Sequence, residues 1–151
     1  MSDDRPGAAP TLVLPRSIRE AIVAEARAGA PEEVCGVLGG TFGDERSRVA
    51  SRYRTRNAAD EPRRRYRIDP VEALETFERL ESRGEEIVGF YHSHPRGPPA
   101  PSPTDAEAAA WPDRSHVIVS SADETTVRSW RWRAGEERFE RERIVVDDER
   151  A

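Results

Sequence analysis

The alternation of hydrophobic and polar residues along the chain predicts strands interleaved with helices. Several short stretches rich in Val, Ile, Leu and aromatic residues have the length and composition of strands. The predicted strands are residues 11–14, 34–38, 47–56, 88–94, 115–120, 126–133 and 138–146. The last two form a hairpin around Ala134-Gly135. Interleaved strands and helices predict an α/β domain with a mixed sheet.

Longer stretches repeat apolar residues at helical spacing and have recognisable ends. One helix is predicted from Ser17 to about Ala28, with Ser17-x-x-Glu20 as a capping box and Gly29 as its C-terminal cap. Another is predicted from Asp69-Pro70 to about Ser82, with Gly84 beyond its end. The predicted buried faces are Ile18, Ile22, Val23 and Ala26 in the first helix, and Val71, Leu74, Phe77 and Leu80 in the second.

The candidate chemistry lies in residues 88–105. His92 and His94 are two positions apart on a predicted strand, so both side chains point to the same face. Ser102-Pro103 predicts a short helix continuing to about Trp111, which puts Asp105 in its first turn. Two histidines and one carboxylate, with a fourth position open to water, are typical of a catalytic zinc site.

Each piece of this pattern has a simpler explanation when taken alone. A His-x-His sequence at a strand end commonly serves packing, and Ser102-x-x-Asp105 resembles a capping box with Asp in place of Glu. The capping box is compatible with a metal site, because a capped helix end would hold Asp105 rigidly. The conjunction favours the metal site, since two of the chain's three histidines lie in this segment.

The segment His92-Ser93-His94, followed by seven residues and Ser102-Pro103-Thr104-Asp105, resembles the His-x-His-x7-Ser-x2-Asp signature of the JAMM (MPN+) metalloproteases. That family also places a glutamate upstream in a Glu-x-Cys-Gly context, which corresponds here to Glu33-Val34-Cys35-Gly36. The resemblance covers roughly residues 11–146, and among short members the chain is most similar to the archaeal desampylases, which remove ubiquitin-like modifiers from proteins.

The resemblance implies a single MPN-type domain with a mixed, curved β-sheet flanked by helices. It also implies one Zn²⁺ per chain held by His92, His94 and Asp105. Glu33 would be the general acid and base, and Ser102 would donate a hydrogen bond to the oxyanion of the tetrahedral intermediate. The expected activity is a zinc isopeptidase that cuts a ubiquitin-like modifier from lysine.

Two alternatives stay open at this point. A related hydrolase would process a small sulfur-carrier protein, and both kinds of substrate would present a flexible Gly-Gly tail. A non-catalytic MPN binding module is the other alternative, and the intact motif residues count against it. The expected partners are therefore modifier conjugates or a sulfur carrier.

Composition narrows the function further. The chain has 151 residues, 35% of them charged, a net charge of −5, and arginine at all 24 basic positions. This acidic balance argues against nucleic-acid binding. The absence of lysine fits either a compositional bias or an enzyme that avoids modification by the pathway it serves. A single cysteine, with no signal sequence or apolar run of about 20 residues, predicts a cytoplasmic protein.

The remaining segments have lesser predicted roles. Residues 1–10 are expected to be disordered, the catalytic domain to span residues 11–146, and residues 147–151 to form an acidic tail. Residues 63–68 are the most basic stretch, predicted as a solvated strand edge or, alternatively, a docking patch. Cys35 is predicted to be a buried core residue and His116 to be structural rather than a ligand.

Overall fold

The structure is a computed structural model that describes residues 9–109, 111–122 and 124–148. Its strands are β1 (Thr11–Pro15), β2 (Cys35–Thr41), β3 (Arg46–Thr55), β4 (Glu86–His94), β5 (Ser115–Ser120), β6 (Thr126–Arg133) and β7 (Arg138–Asp147). Its helices are α1 (Arg16–Gly29), α2 (Pro70–Ser82) and α3 (Pro103–Ala108), with a 3-10 turn at Ala134–Glu136. The disorder predicted for residues 1–10 falls mostly on residues 1–8, which lie outside the described residues.

The strands form one closed barrel in the order β1-β3-β2-β4-β5-β6-β7. Strand β1 pairs in parallel with both β3 and β7, and β4 pairs in parallel with β5; the other neighbours are antiparallel. The predicted mixed, curved sheet with flanking helices is therefore confirmed. Its closure into a barrel was not predicted, because β1 must pair with a strand more than a hundred residues away.

Along the central strands β2 and β4, successive side chains point alternately into two separate hydrophobic cores. Leu38 and Tyr91 pack with the buried face of α1, around Ile22 and Ala26. Their neighbours in sequence point the other way, into a smaller core that includes Leu80 of α2. The sheet is thus covered by one helix on each face, which explains why the middle of β2 and β4 is uniformly apolar.

The ends of α1 differ from the prediction. The helix begins at Arg16, one residue before Ser17, and its N-cap position is Pro15, which makes no side-chain cap hydrogen bond. The proline that ends β1 directly precedes the first helical residue, so the predicted helix start at Ser17 is one residue too late. Gly29 is the last helical residue, and the chain leaves the helix through Ala30 without a left-handed glycine.

Helix α2 has the predicted bounds but a different buried face. Val71 and Leu74 are 62% and 58% exposed, whereas Thr76 and Leu80 are buried. Residues spaced by three drift backwards by about 60° per step on a helix, so Val71 and Leu80 lie on roughly opposite sides. The predicted four-residue stripe could not face one core. Gly84 takes a left-handed conformation with φ of 71° just past the helix end, as expected of a C-terminal glycine.

The C-terminal half follows the predicted order closely. Strand β5 and the β6–β7 hairpin are confirmed, whereas α3 ends at Ala108 rather than Trp111. The strand edge predicted at residues 63–68 is wrong, since this part is turn and loop with one isolated bridge between Asn57 and Ile68. Among the described residues no helix is long and apolar enough to cross a membrane.

Candidate metal centre

The end of β4 and the first turn of α3 bring three side chains to one point. His92 Nε2 lies 3.1 Å from His94 Nε2 and 3.2 Å from Asp105 Oδ2, and His94 Nε2 lies 3.1 Å from the same oxygen. All three residues are buried. The three sequence-predicted ligands therefore present one nitrogen or oxygen atom each at the corners of a nearly equilateral triangle.

This triangle fits a tetrahedral cation such as zinc. Ligand atoms about 2.0–2.1 Å from a tetrahedral zinc ion lie about 3.3–3.4 Å apart, close to the observed separations. His94 Nδ1 lies 2.8 Å from the carbonyl oxygen of Pro98 and donates to it, which leaves the lone pair on Nε2. Such an outer hydrogen bond is the usual companion of a metal-binding histidine.

Burial and mutual contact govern the charges of these three groups. Burial lowers the pKa of His92. Burial would also lower the pKa of His94, but its hydrogen bonds to Asp105 and the Pro98 carbonyl outweigh this and raise it. Burial opposes ionisation of Asp105, yet the hydrogen bonds from both imidazoles hold its pKa well below the ordinary range. The carboxylate is therefore the fixed anion of the cluster.

Glu33 approaches the same cluster from the loop just before β2. One carboxylate oxygen of Glu33 and one nitrogen of each histidine lie within 4.8 Å of one another. Glu33 is 6% exposed, and its Oε1 has no hydrogen-bond partner among the described residues. Burial raises the pKa of Glu33 to about 7. This is a carboxyl group poised to exchange a proton near neutral pH.

Two residues that sequence reasoning missed hold Glu33 in place. Ser93, between the two histidines, accepts a 2.8 Å hydrogen bond from the Val34 amide, and the Ser93 amide donates to the Val34 carbonyl. Asn57 donates a 2.9 Å hydrogen bond from Nδ2 to the Glu33 carbonyl. For Ser93 the alternation of the strand offered a signal, since it must face away from the two ligands.

Tyr66 is a third missed residue. Its ring stacks on His92 with centroids 4.3 Å apart and an interplanar angle of 24°. Burial raises the pKa of its hydroxyl, so Tyr66 stays neutral. The only sequence signal was an aromatic residue among arginines, which does not indicate where the ring packs.

Ser102 is the N-cap of α3, and the predicted capping box is confirmed. Its hydroxyl oxygen accepts from the Asp105 amide at 3.1 Å, while its own amide donates to Asp105 Oδ2 at 2.8 Å. The cap thus fixes the carboxylate that joins the triangle, and the hydroxyl hydrogen of Ser102 remains available to an acceptor. Ser102 lines a cleft of about 730 Å³ together with Glu33, His94 and three arginines, Arg63, Arg64 and Arg96.

Cys35 and His116 do not join the ligand triangle. The Cys35 thiol is fully buried 3.4 Å from Thr55 Oγ1, and burial raises its pKa to about 11, which keeps it protonated. Its prediction as a core residue is confirmed. His116 is buried on β5 between Phe90 and Phe139, with ring centroids 5.8 and 5.1 Å away.

The barrel and its histidine–carboxylate cluster define a hydrolase of the JAMM type. The chain belongs to the family described as prokaryotic homologs of the JAB domain, whose model matches residues 15–133. It is 43% identical over 123 residues to a desampylase from Haloferax volcanii, covering 79% of this chain and 87% of that protein. It is 36% identical over 119 residues to the CysO-cysteine peptidase of Mycobacterium tuberculosis, covering 79% and 80%.

Two solved structures share this fold. The fold matches the solution structure of a protein from Desulfitobacterium hafniense with a TM-score of 0.81 and 28% sequence identity, over 91% of this chain and 94% of that one. It also matches a protein from Salinibacter ruber with a TM-score of 0.66 and 33% identity, over 92% and 93%. The family match and the desampylase relative confirm the resemblance to the JAMM family drawn from the sequence motif.

Proposed function

We propose that this protein is a zinc-dependent isopeptidase that removes a ubiquitin-like modifier from lysine side chains of target proteins. The observation that carries the proposal is the convergence of His92, His94 and Asp105, with the carboxylate of Glu33 within reach of both imidazoles. Buried polar groups are normally hydrogen-bonded. A cluster with only a structural role would therefore not be expected to include a fourth group, Glu33, whose carboxylate oxygen has no partner.

The ligand set proposed for zinc is His92, His94 and Asp105. Asp105 rather than Glu33 supplies the carboxylate, because its Oδ2 is 3.1–3.2 Å from both imidazole nitrogens. When bound, zinc would act as a Lewis acid that lowers the pKa of a coordinated water to about 7. The buried, low-dielectric setting strengthens each of these electrostatic contacts.

The remaining steps fall to side chains of this chain. Glu33 takes the proton of the attacking water and returns it to the leaving amine, a role that suits a carboxyl group whose burial raises its pKa to about 7. The hydroxyl of Ser102, free to donate, stabilises the oxyanion of the tetrahedral intermediate. One such donor is typically worth about 3 kcal/mol.

The substrate class follows from the relatives. Proteins named desampylase, CysO-cysteine peptidase and probable TtuB-protein conjugate cleaving protease are 35–43% identical to this chain. A second candidate function is therefore processing of a sulfur-carrier protein that bears a C-terminal amino acid. The arginines Arg63, Arg64 and Arg96 beside the cleft favour it, since they would attract a free carboxylate on the leaving group. The cytoplasm stays the location predicted from the sequence.

Direct comparison of the two substrate classes tests the proposal. Zinc-loaded protein is incubated with a ubiquitin-like modifier joined to lysine of a folded protein, and separately with the same modifier carrying a C-terminal amino acid. Mass spectrometry follows release of the intact modifier, with the Glu33→Ala variant as the control. Cleavage of the lysine conjugate supports the isopeptidase, exclusive cleavage of the second substrate supports carrier processing, and cleavage of neither contradicts both.

A further inference from the structure

The loop of residues 95–101 is the covalent link between two of the proposed metal ligands. His94 ends β4 just before this loop, and Ser102, the N-cap residue that holds Asp105, follows directly after it. Four of its seven residues, at positions 95, 98, 99 and 101, are proline, which has no amide hydrogen to donate. Within the described part of the chain, no backbone–backbone hydrogen bond holds residues 95–101. Side chains from other elements must therefore fix the shape of the loop.

Three consecutive carbonyls of this loop accept hydrogen bonds from side chains on three different strands. The pairs are the Gly97 carbonyl with Ser120 Oγ of β5, the Pro98 carbonyl with His94 Nδ1 of β4, and the Pro99 carbonyl with Trp130 Nε1 of β6. The second and third of these bonds are 2.8 and 3.1 Å long. The loop is thus tied to the barrel at three successive peptide units.

The hydrogen bond to the metal ligand is the middle one of the three. Each proline fixes its own φ at about −65°, so the direction of the Pro98 carbonyl depends mainly on rotation about ψ. Hydrogen bonds on both neighbouring carbonyls restrict that rotation. The loop also lies against the imidazole of His94, since a Cβ added to Gly97 would be 3.6 Å from His94 Cβ and 3.8 Å from His94 Nδ1. A displacement of the loop would therefore change both the contact and the hydrogen bond that orient this ring.

We propose that Ser120 and Trp130 are positioning residues of the metal centre. By holding the carbonyls on either side of Pro98, they keep the Pro98 carbonyl on His94 Nδ1 and so direct the lone pair of His94 Nε2 towards the metal. Neither residue belongs to the ligand triangle, so both act through the loop. The inference rests on the proposed zinc-dependent function.

Zinc affinity tests this role without any turnover. The dissociation constant for zinc is measured by chelator competition on full-length wild type, Trp130→Phe, Ser120→Ala and the double variant. Trp130→Phe removes the indole donor but keeps an aromatic ring at this half-buried position. Loss of an outer hydrogen bond around a metal ligand typically weakens metal binding 10–100-fold. We expect each single variant to bind zinc at least about threefold more weakly, and the double variant at least about tenfold more weakly.

Trp132→Phe is the matched control, because it makes the same exchange two residues further along β6. The Trp132 ring packs on Phe139, and among the described residues it makes no hydrogen bond to the loop. Its zinc affinity should equal that of the wild type, even if urea denaturation of the metal-free protein shows a larger loss of stability than in Trp130→Phe.

The outcomes separate this inference from the proposed function. Wild-type zinc affinity in Trp130→Phe and Ser120→Ala, or an equal loss in Trp132→Phe, would overturn the positioning role alone. If the double variant does not fold, the comparison of Trp130→Phe with Trp132→Phe still decides. A wild type that binds no zinc would overturn the proposed function and the positioning role together.

Discussion

At the scale of a single residue, the buried carboxyl group of Glu33 suits the proposed proton transfer but lowers the stability of the folded protein. Folding buries its carboxyl group, leaves Oε1 without a partner and raises its pKa to about 7. A surface glutamate would lose no comparable solvation on folding. The position is thus maintained at a cost that an uncharged side chain of similar shape would avoid.

Replacement of Glu33 by glutamine should therefore stabilise the metal-free protein at alkaline pH. Between the ordinary glutamate pKa near 4.5 and about 7, the unfolded chain releases a proton that the folded chain retains. The free energy of unfolding therefore falls as pH rises through that range. Glutamine does not titrate, so the variant should not show this fall. We expect a gain of about 1–2 kcal/mol at pH 8, after allowance for solvent screening, and almost none at pH 4.

Urea denaturation of chelator-treated protein at both pH values measures this difference. Glu32→Gln is the matched control, because the neighbouring Glu32 is exposed and should leave stability unchanged at either pH. A Glu33→Gln variant no more stable than the wild type at pH 8 would show that the Glu33 carboxylate is well solvated after all.

At the scale of elements, the segment between β3 and α2 is organised by one side chain. Asn57 Nδ2 donates to the carbonyls of Glu33 and Arg65 at 2.9 Å, and its Oδ1 accepts from the amides of Ala59 and Arg67 at 3.0 and 3.1 Å. The backbone of this segment is held by turn hydrogen bonds and one isolated bridge rather than by a strand ladder, and the amide of Asn57 adds contacts between its two ends. It also carries Tyr66 against His92.

Asn57→Ala should release this segment. Loss of the hydrogen bonds of the Asn57 side chain should let the backbone around the exposed arginines at positions 63–65 unfold locally, so that trypsin can cut it. The displacement of Glu33 and Tyr66 should lower kcat/KM at least about tenfold. Limited trypsin digestion and cleavage kinetics measure the two effects. The control is Glu61→Ala, which removes only the exposed ion pair between Glu61 and Arg65. Equal trypsin sensitivity of the two variants would contradict the role given to Asn57.

We expect the same segment to bind the extended tail of the modifier, because the scissile bond must reach the metal centre on a flexible stretch of chain. A narrow approach near His94 would admit only glycine next to the cleaved bond. Replacement of the modifier's last glycine by leucine should then reduce kcat/KM far more than it weakens binding of an uncleavable analogue. Equal cleavage of both tails would indicate a general peptidase instead.

Some features of the helices and strands could be predicted from local sequence patterns, and others could not. Local signals sufficed where short-range chemistry decides the outcome, as in the Ser102–Asp105 cap and the β6–β7 hairpin. They failed where contacts distant in sequence decide it. Periodicity alone could not show which face of α2 meets the sheet, and no local pattern indicates that Tyr66 packs on His92.

At the scale of the whole molecule, a buried ion pair joins two neighbouring strands of the barrel, β6 and β7. Arg131 Nε on β6 lies 2.6 Å from Glu142 Oε2 on β7, and both side chains are fully buried. The other oxygen of Glu142 accepts from the hydroxyls of Ser115 and Ser129 at 2.7 and 2.6 Å. Arg131 also donates to the Asp44 carbonyl at 2.8 Å. Every charge in the network is paired, which makes the loss of one partner expensive.

Arg131→Met should destabilise the protein by about 3–5 kcal/mol, because it leaves Glu142 buried and unpaired. The double variant Arg131→Met/Glu142→Met should recover part of that loss, since no buried charge remains. Urea denaturation of the single and double variants provides the comparison. Arg133→Met is a control on the same strand, because the ion pairs of Arg133 are partly exposed. A double variant as unstable as the sum of its single variants would rule out direct coupling.

The central claim is that His92, His94 and Asp105 hold zinc while Glu33 moves the proton. Zinc content and conjugate cleavage, measured on the same preparations of wild type, Glu33→Ala and His92→Ala, test it most directly. We predict about one zinc per chain and activity in the wild type, zinc without activity in Glu33→Ala, and neither in His92→Ala. An active Glu33→Ala enzyme, or an active wild type without a transition metal, would contradict it.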